Sequence, residues 1–557
     1  MFFAKIQSRG GCAIKRASVI RLLVTEQEPL QPQHINTIST TNPPATASQQ
    51  TDPALEWEKA RPFSELPRVG GLKLISKFFP GGAYAKLDFK DLVTTMRNDY
   101  GPIFMMTAMM GRPDIIVTHN PDDFPNIFRN EGIWPNRPFS ETIGYHRNKM
   151  RADFFQGVEG TISTQGEKWN TFRKVVNPLL MQPKNIEMYT NKLAQVNQEF
   201  VERIRLIRDP KSLEMPADFE ECLHRWTLES VAVVALDKQL GLLREDSEHY
   251  ADALKLFVAL NEFMTLSLDL DYKPTLWKFI ATPKFKRLMQ SMDDIQAITW
   301  KYITEAVKKL ERESQQGIER PTQEQSILEK LLKKDKKIAT VMAMDMLMAG
   351  VDTTTSLTVG ALLCLAKNPE KQELLREEVM RVLPQKDGAF IDDPLKHAPY
   401  LRACLKESLR VYPVAIGNMR VPVNDLVLSG YQVPKGTYVS MIFAPLQSDA
   451  RYYSRPMEFL PERWLRSNSE VDEPQKRDTV ECPQSIKVSS PFVYLPFGFG
   501  PRICLGRRIS ELEVGLGIAR LIRNFKVEFH YPTDRAFKGM LINMPNIPLK
   551  FKFTDID

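Results

Sequence analysis

The chain has 557 residues, 43% hydrophobic and 26% charged, an ordinary globular balance with length enough to bury a large core and a prosthetic group. Six cysteines, Cys12, Cys222, Cys364, Cys404, Cys482 and Cys504, stand without paired or short repeated spacings, which excludes a disulfide framework and a four-thiolate zinc site and fits a reducing compartment. The formal net charge is +7, and five of those positive charges lie in the first 25 residues, so any basic docking surface on the rest must be local and no nucleic-acid partner is expected.

Those first 25 residues carry Lys5, Arg9, Lys15, Arg16 and Arg21 and no acidic residue. This is the composition of a mitochondrial targeting segment, which we place at residues 1–36. A membrane anchor would need about 20 consecutive apolar residues, whereas the best run, Ala17 to Val24, is interrupted by Arg21. Residues 37–53 are rich in Thr, Ser, Pro, Gln and Ala, a linker composition. One large domain is expected from 54 to 557.

Helical periodicity is legible over Glu187 to Arg205, Cys222 to Leu240, Ser291 to Glu313, Ile338 to Leu365, Pro369 to Val382 and Arg508 to Arg523. Strand patterns are fewer: Ile115 to Thr118, Leu426 to Val433 and Lys526 to Phe529. The expected fold is therefore mainly α with small β-sheets.

Three patterns point to chemistry. The apolar stretch 338–365 is interrupted by Ala349-Gly350-Val351-Asp352-Thr353-Thr354, and a core helix rarely keeps an acid without purpose. The hydroxyls there have an alternative use, bonding back to helix carbonyls and bending the helix. Glu407 and Arg410 lie one helical turn apart. The same spacing at Glu202 with Arg205, Glu373 with Arg376 and Glu378 with Arg381 is expected to give only solvated surface pairs. Glu407 alone precedes a Tyr412-Pro413 helix stop and then Pro461-Glu462-Arg463-Trp464. Last comes Phe497-Gly498-Phe499-Gly500-Pro501-Arg502-Ile503-Cys504-Leu505-Gly506, whose glycines permit tight turns and whose cysteine sits at a helix start, where the dipole favours a thiolate. Phe497, Gly500, Arg502, Cys504 and Gly506 together should match by chance on the order of once in ten thousand chains this long.

With these motifs in this order the chain resembles the cytochrome P-450 family, from about Arg61 to Phe553. The resemblance implies that Cys504 is the axial ligand of haem b, an electron-donating thiolate that favours O–O cleavage, and that Phe497 lies beside the cofactor. It implies that Trp169, Arg173, Arg420 and Arg502 hold the haem propionates, three guanidiniums serving two carboxylates. Gly350 would let its helix widen over the haem, and Asp352 and Thr353 would relay protons to dioxygen. Glu407, Arg410 and Arg463 would form a buried structural network. Val414 to Asn418, Met540 to Met544 and the helix face at Met344 and Met348 resemble substrate-facing regions, although methionines in a buried helix also serve simply as core.

Tyr145-His146-Arg147, Gly166-Glu167-Lys168-Trp169 and Gly506-Arg507-Arg508-Ile509-Ser510-Glu511 narrow the resemblance to the mitochondrial class, especially an insect branch, with Ser510 where alanine is often found. That class implies location at the matrix face of the inner membrane, peripheral membrane association, and electrons from a two-iron ferredoxin with its NADPH-dependent reductase. Arg402, Lys406, Arg507 and Arg508 would receive the ferredoxin. The expected activity is oxygen insertion into an apolar xenobiotic or steroid-like substrate. A haem-thiolate isomerase or peroxygenase would not need the acid and alcohol pair, and a haem sensor or carrier would need only Cys504 and the propionate contacts.

Overall fold

The computed structural model describes residues 53–107, 113–138, 140–245, 247–271, 275–465, 491–539 and 542–556. The expected targeting segment, nearly all of the expected linker, Cys12, Cys482, Met540 and Leu541 lie outside the described residues. Nine helices carry the discussion: α1 Gly166–Leu180, α2 Thr190–Ile207, α3 Phe219–Ala235, α4 Tyr250–Asp271, α5 Pro283–Gln315, α6 Lys336–Lys367, α7 Pro369–Val382, α8 Pro399–Val411 and α9 Arg507–Asn524.

The centre of the fold is α6. Asp335 caps its start by accepting the N–H of Ile338 at 2.8 Å. Leu347, Leu357, Leu362, Leu363 and Leu365 are all buried, and each such side chain stabilises by about 1.5–3 kcal/mol. Because burial runs around the whole helix, packing and not an amphipathic face fixes its position. Its apolar stretch would suffice to cross a bilayer by length and composition, but 83% of it is buried inside the protein. Against α6 lie α3, α4, α5, α7, α8 and α9.

A mixed sheet flanks the helices. It comprises β1 Arg68–Val69, β2 Ile103–Met106, β3 Ile115–Thr118, β4 Gly417–Arg420 and β5 Tyr438–Ile442, in the order β1-β2-β3-β5-β4. The β4–β5 pairing is antiparallel and sets Arg420 opposite Val439, which fixes the end of β4 beside the cysteine loop.

Several boundaries differ from the sequence pattern for identifiable reasons. The expected helix from Cys222 to Leu240 ends at Ala235, because the buried carboxylate of Glu229 accepts the N–H groups of Leu240, at 2.7 Å, and Leu242. The expected strand Leu426 to Val433 is a hairpin, Leu426–Leu428 with Tyr431–Val433. Ser429 and Gly430 form its turn at φ 47° and 78°, the left-handed pair of a two-residue connection. Helix α5 starts eight residues before the expected Ser291, at Pro283, where Thr282 accepts the N–H of Phe285 at 3.3 Å.

Candidate active site

The cysteine loop is built by backbone geometry. Gly498 and Gly500 take φ 75° and 72°, and a Cβ on Gly500 would lie 2.7 Å from a carboxylate oxygen of Glu131. The loop closes through the N–H of Cys504 to the carbonyl of Phe497 at 2.9 Å. Cys504 precedes the first turn of α9 and keeps exposed surface. Enough chain surrounds its sulfur to push the thiol pKa up, while the N–H groups of Gly506 and Arg507 and the charges of Arg173 and Arg137 pull it down. A coordinating metal ion deprotonates a thiol outright.

Beside the loop several guanidiniums converge. Arg502 is buried, its charged group 3.9 Å from the centre of the Trp169 ring. Its donors reach the carbonyls of Pro135 and Thr164 and the side chain of Gln165, each at 2.9 Å. Burial first, and then the charges of Arg137, Arg420 and Arg173, lower its pKa to about 8, with Glu131 opposing. A guanidinium does not lose its proton in proteins, so the direction marks positive potential that one carboxylate leaves poorly neutralised. Arg173 donates Nη2 to the carbonyl of Ile503 at 2.6 Å, but its Nε and the Nε1 of Trp169 are buried without a partner. Orphaned buried donors of this kind are costly, and a ligand carrying two carboxylates relieves both the orphaned N–H groups and the charge. The residues therefore fit a haem with its propionates toward Trp169 and Arg173.

Arg420 is held by protein groups as well. Fully buried, it pairs through Nε with Glu131 and donates Nη1 to Asn418 at 2.7 Å and Nη2 to the carbonyl of Phe499 at 3.2 Å. All three of its nitrogens have a partner inside the protein, and Arg502 is likewise held by carbonyls; a guanidinium carries five N–H groups, so these contacts leave donors on both for a propionate. Of the four expected propionate residues, Trp169 and Arg173 carry a buried nitrogen with no partner at all.

On α6 the acid and the alcohol face different surroundings. Thr353 is half-buried and donates Oγ1 to the carbonyl of Ala349 at 2.7 Å, the back-bonding alternative that the run of hydroxyls allows. Asp352 is buried toward α3, where its Oδ1 lies 3.5 Å from Nε2 of His224, and burial raises its pKa to about 7. Gly350 lies within a helix that runs unbroken from 336 to 367. A Cβ there would meet Val231 of α3 at 2.9 Å, so the glycine permits the close helix crossing. Met344 and Met348 are buried, as core methionines are. Val414 to Asn418 meets the chain around Met544 through an Ala415–Ile542 bridge and an Asn543 N–H bond to the Val414 carbonyl at 2.9 Å.

Away from this pocket, Glu407, Arg410 and Arg463 come together as expected. Glu407 accepts from Arg410 Nε at 3.0 Å and Nη2 at 2.8 Å, from Arg463 Nε at 3.0 Å, from the N–H of Leu460 at 3.0 Å and from Trp464 Nε1 at 2.8 Å. The three comparison pairs are less uniform than their spacing suggests. Arg205 turns to Asp555 at 2.9 Å. Glu378 is buried and accepts the N–H groups of Tyr400 at 2.9 Å and Leu401 at 2.8 Å, starting α8. Arg376 is buried against the carbonyl of Phe525 at 3.1 Å while its partner Glu373 stays exposed.

The cytochrome P-450 family model matches residues 64–553. The chain belongs to the cytochrome P-450 family. It is 56% identical over 511 residues to cytochrome P-450 CYP12A2 of Musca domestica, covering 92% of this chain and 94% of that protein. It is 55% identical over 520 residues, covering 93% and 95%, to a probable mitochondrial cytochrome P-450 12a5 of Drosophila melanogaster. A crystal structure of the cytochrome P-450DA heme domain superposes with a TM-score of 0.67 at 18% identity, over 89% of this chain and 98% of that one, which shows the shared fold. The protein is thus a P-450 monooxygenase with a haem cofactor, of the insect mitochondrial class.

In this P-450 two pairs escaped sequence reasoning. Glu131 is the counter-ion of Arg420. Arg147 of the Tyr-His-Arg segment is buried against Asp345 of α6 at 2.8 Å, and Asp345 also accepts the N–H of Thr161 at 2.6 Å. Thr161 and Thr164 lie in the segment whose carbonyls Arg502 holds, so this pair ties α6 to the cysteine loop. The signal available was Asp345 itself, a second acid inside an apolar helix.

Proposed function

We propose that this P-450 inserts one atom of dioxygen into an apolar small molecule and reduces the other to water, at haem b ligated by Cys504, using single electrons from a two-iron ferredoxin in mitochondria. When bound, the haem supplies the redox-active iron at which dioxygen is reduced. The observation that carries the reading is the exposed Cys504 beside buried, partnerless donors on Trp169 and Arg173 in a cation-rich pocket. Trp169 and Arg173 orient the propionates, Phe497 borders the cofactor, and Arg502 and Arg420 brace the loop through carbonyls and Glu131. Asp352 holds a proton near neutral pH and Thr353 passes it inward. NADPH-dependent oxygen consumption by the purified enzyme with ferredoxin and its reductase, yielding one product per NADPH, tests the reaction class. Peroxide-driven turnover alone, or none, overturns it.

The proton role makes a sharper demand. Thr353→Ala should keep haem and consume NADPH while product per NADPH falls by roughly tenfold and peroxide rises, since a positioned proton donor contributes about 10²–10⁴-fold. Undiminished product per NADPH contradicts the relay. The ambiguous middle is resolved by Thr354, buried on the same helix: if it substitutes, the Thr353→Ala, Thr354→Ala double variant leaks more.

For electron delivery, Arg402 and Lys406 are exposed on one side of α8, and α8 packs against α9, which carries Arg507 and Arg508. These two share Glu511, at 2.9 and 3.8 Å, and Arg402 and Lys406 add two positive charges beside them. Arg402→Glu with Lys406→Glu should slow ferredoxin-supported turnover by about tenfold or more at low salt, leaving substrate binding intact. Raising salt should weaken the wild type likewise, because exposed charges are screened over about 8 Å at physiological ionic strength. Turnover insensitive to both removes the docking assignment. Peripheral contact with the inner membrane on its matrix side is supported by exposed Leu276, Phe279 and Ile280 between α4 and α5 and by Phe78 and Phe79, apolar side chains that a lipid surface would cover.

A further inference from the structure

Three titratable side chains on the α3–α6 interface form a line from solvent to the acid of α6. Glu220 and His224 lie four residues apart on one face of α3, and Asp352 faces them from α6. Side-chain exposure falls along the line, from 32% at Glu220 to 11% at His224 and 6% at Asp352. Nε2 of His224 stands between the two carboxyl groups, 4.0 Å from Glu220 and 3.5 Å from Asp352. It is buried and makes no hydrogen bond. An imidazole nitrogen left unpaired between two carboxyl groups is costly as structure and useful as a carrier, since small ring movements bring it within bonding distance of either. Among the described residues no lysine or arginine is ion-paired to any of the three.

We propose that Glu220 and His224 are the proton inlet of this P-450, with Nε2 taking a proton from the Glu220 carboxyl and returning it to the Asp352 carboxylate. The inference rests on the acid and alcohol reading of Asp352 and Thr353 and extends it to the surface. The balance is simple. When Asp352 gives its proton inward it becomes a carboxylate. The imidazolium formed at His224 then neutralises it, Glu220 restores the imidazole's supply, and hydronium from solvent restores Glu220, so each cycle imports one proton and leaves the three groups unchanged. Resting protonation suits the direction. Burial raises Glu220 to about 7, with the charge of Asp352 adding to it, and lowers His224 to about 4, with Glu221 of α3 opposing. At neutral pH the carboxyls are therefore about half protonated and the imidazole is neutral, with one ring nitrogen ready to accept.

The test compares holoenzyme variants His224→Gln, Glu220→Gln and Asp352→Asn. His224→Gln fills the space but does not titrate. It should lower product per NADPH roughly tenfold and raise the solvent deuterium isotope effect on turnover, with the carbon-monoxide spectrum and substrate binding unchanged. Glu220→Gln should act in the same direction more weakly. A second readout needs no turnover. The infrared carboxylic C=O band that Asp352→Asn removes should titrate near neutral pH in the wild type and shift its midpoint in His224→Gln. A wild-type isotope effect and an unshifted band in His224→Gln overturn the inlet while a coupling defect in Asp352→Asn keeps the acid reading. If Asp352→Asn is itself fully coupled, the acid reading falls and the inlet with it. Should His224→Gln fail to load haem, His224→Asn takes its place under the same criteria.

Discussion

Replacing Cys504 by serine is expected to abolish the long-wavelength Soret band of the reduced, carbon-monoxide-bound enzyme and to reduce turnover at least about a thousandfold, equal to about 4 kcal/mol of barrier. The substitution exchanges one atom, and three backbone hydrogen bonds that hold the loop do not involve that atom. The N–H of Cys504 reaches the Phe497 carbonyl at 2.9 Å, that of Ile503 the Gly500 carbonyl at 3.0 Å and that of Ser510 the Gly506 carbonyl at 2.9 Å. The loop should survive. What changes is the donor: a serine hydroxyl lacks the soft, electron-rich sulfur that a thiolate presents to iron. The three other cysteines among the described residues are buried, and burial raises the pKa of each well above the thiol range, so none can replace it. The variant's melting temperature, measured beside the spectrum, separates loss of ligand from loss of fold. A long-wavelength band that persists in a folded variant removes Cys504 from the site.

The cysteine loop was legible because its backbone path admits few residue types, and a constraint on backbone becomes a constraint on sequence at fixed spacing. Helix α7 was legible for a related reason, with Pro369 at its first position and apolar residues at helical spacing. Helix α4 was not. It is apolar around much of its circumference, with Leu256, Leu260, Phe263 and Leu268 all buried, and a helix without a polar stripe carries no period to read. The hairpin at Ser429-Gly430 hid inside an alternation that runs on through its turn. The partners at the site were hidden by distance along the chain. Glu131 finds Arg420 across 289 residues, Thr161 finds Asp345 across 184, and nothing local to either acid names its partner. Which guanidinium keeps a wholly unpartnered nitrogen is likewise a property of neighbours. Arg173 and Arg420 look alike in sequence, yet only the first retains an orphaned Nε.

Glu407 shows how far identical spacing can diverge in energy, and Glu407→Gln is expected to cost roughly 3–5 kcal/mol, the range for breaking a buried ion pair by removing one partner. The carboxylate is fully buried and accepts five hydrogen bonds. A glutamine amide offers one acceptor oxygen and turns two donors toward a ring of donors. Arg410 and Arg463, also buried, would keep their charge and lose the carboxylate they both pair with. Unfolding entropy of about 2.1 cal/mol/K per residue, over roughly 500 residues, converts 4 kcal/mol into a fall of about 4 °C in Tm. Against a total stability of about 5–15 kcal/mol, that loss should sharply reduce recovery of haem-loaded protein. Arg463→Lys, which keeps the charge but not the planar fork, should lose less. The control is Glu373→Gln. Glu373 bears the same three-residue relation to Arg376, with its carboxylate 3.0 Å away, but its side chain is 62% exposed. Arg376 also keeps its bonds to the Phe525 carbonyl at 3.1 Å and to Gln372 at 3.1 Å. Its loss should therefore change stability by no more than about 0.5 kcal/mol. Equal Tm shifts for Glu407→Gln and Glu373→Gln would mean that burial does not set the worth of these pairs, and the network beneath the fold would lose its assigned role.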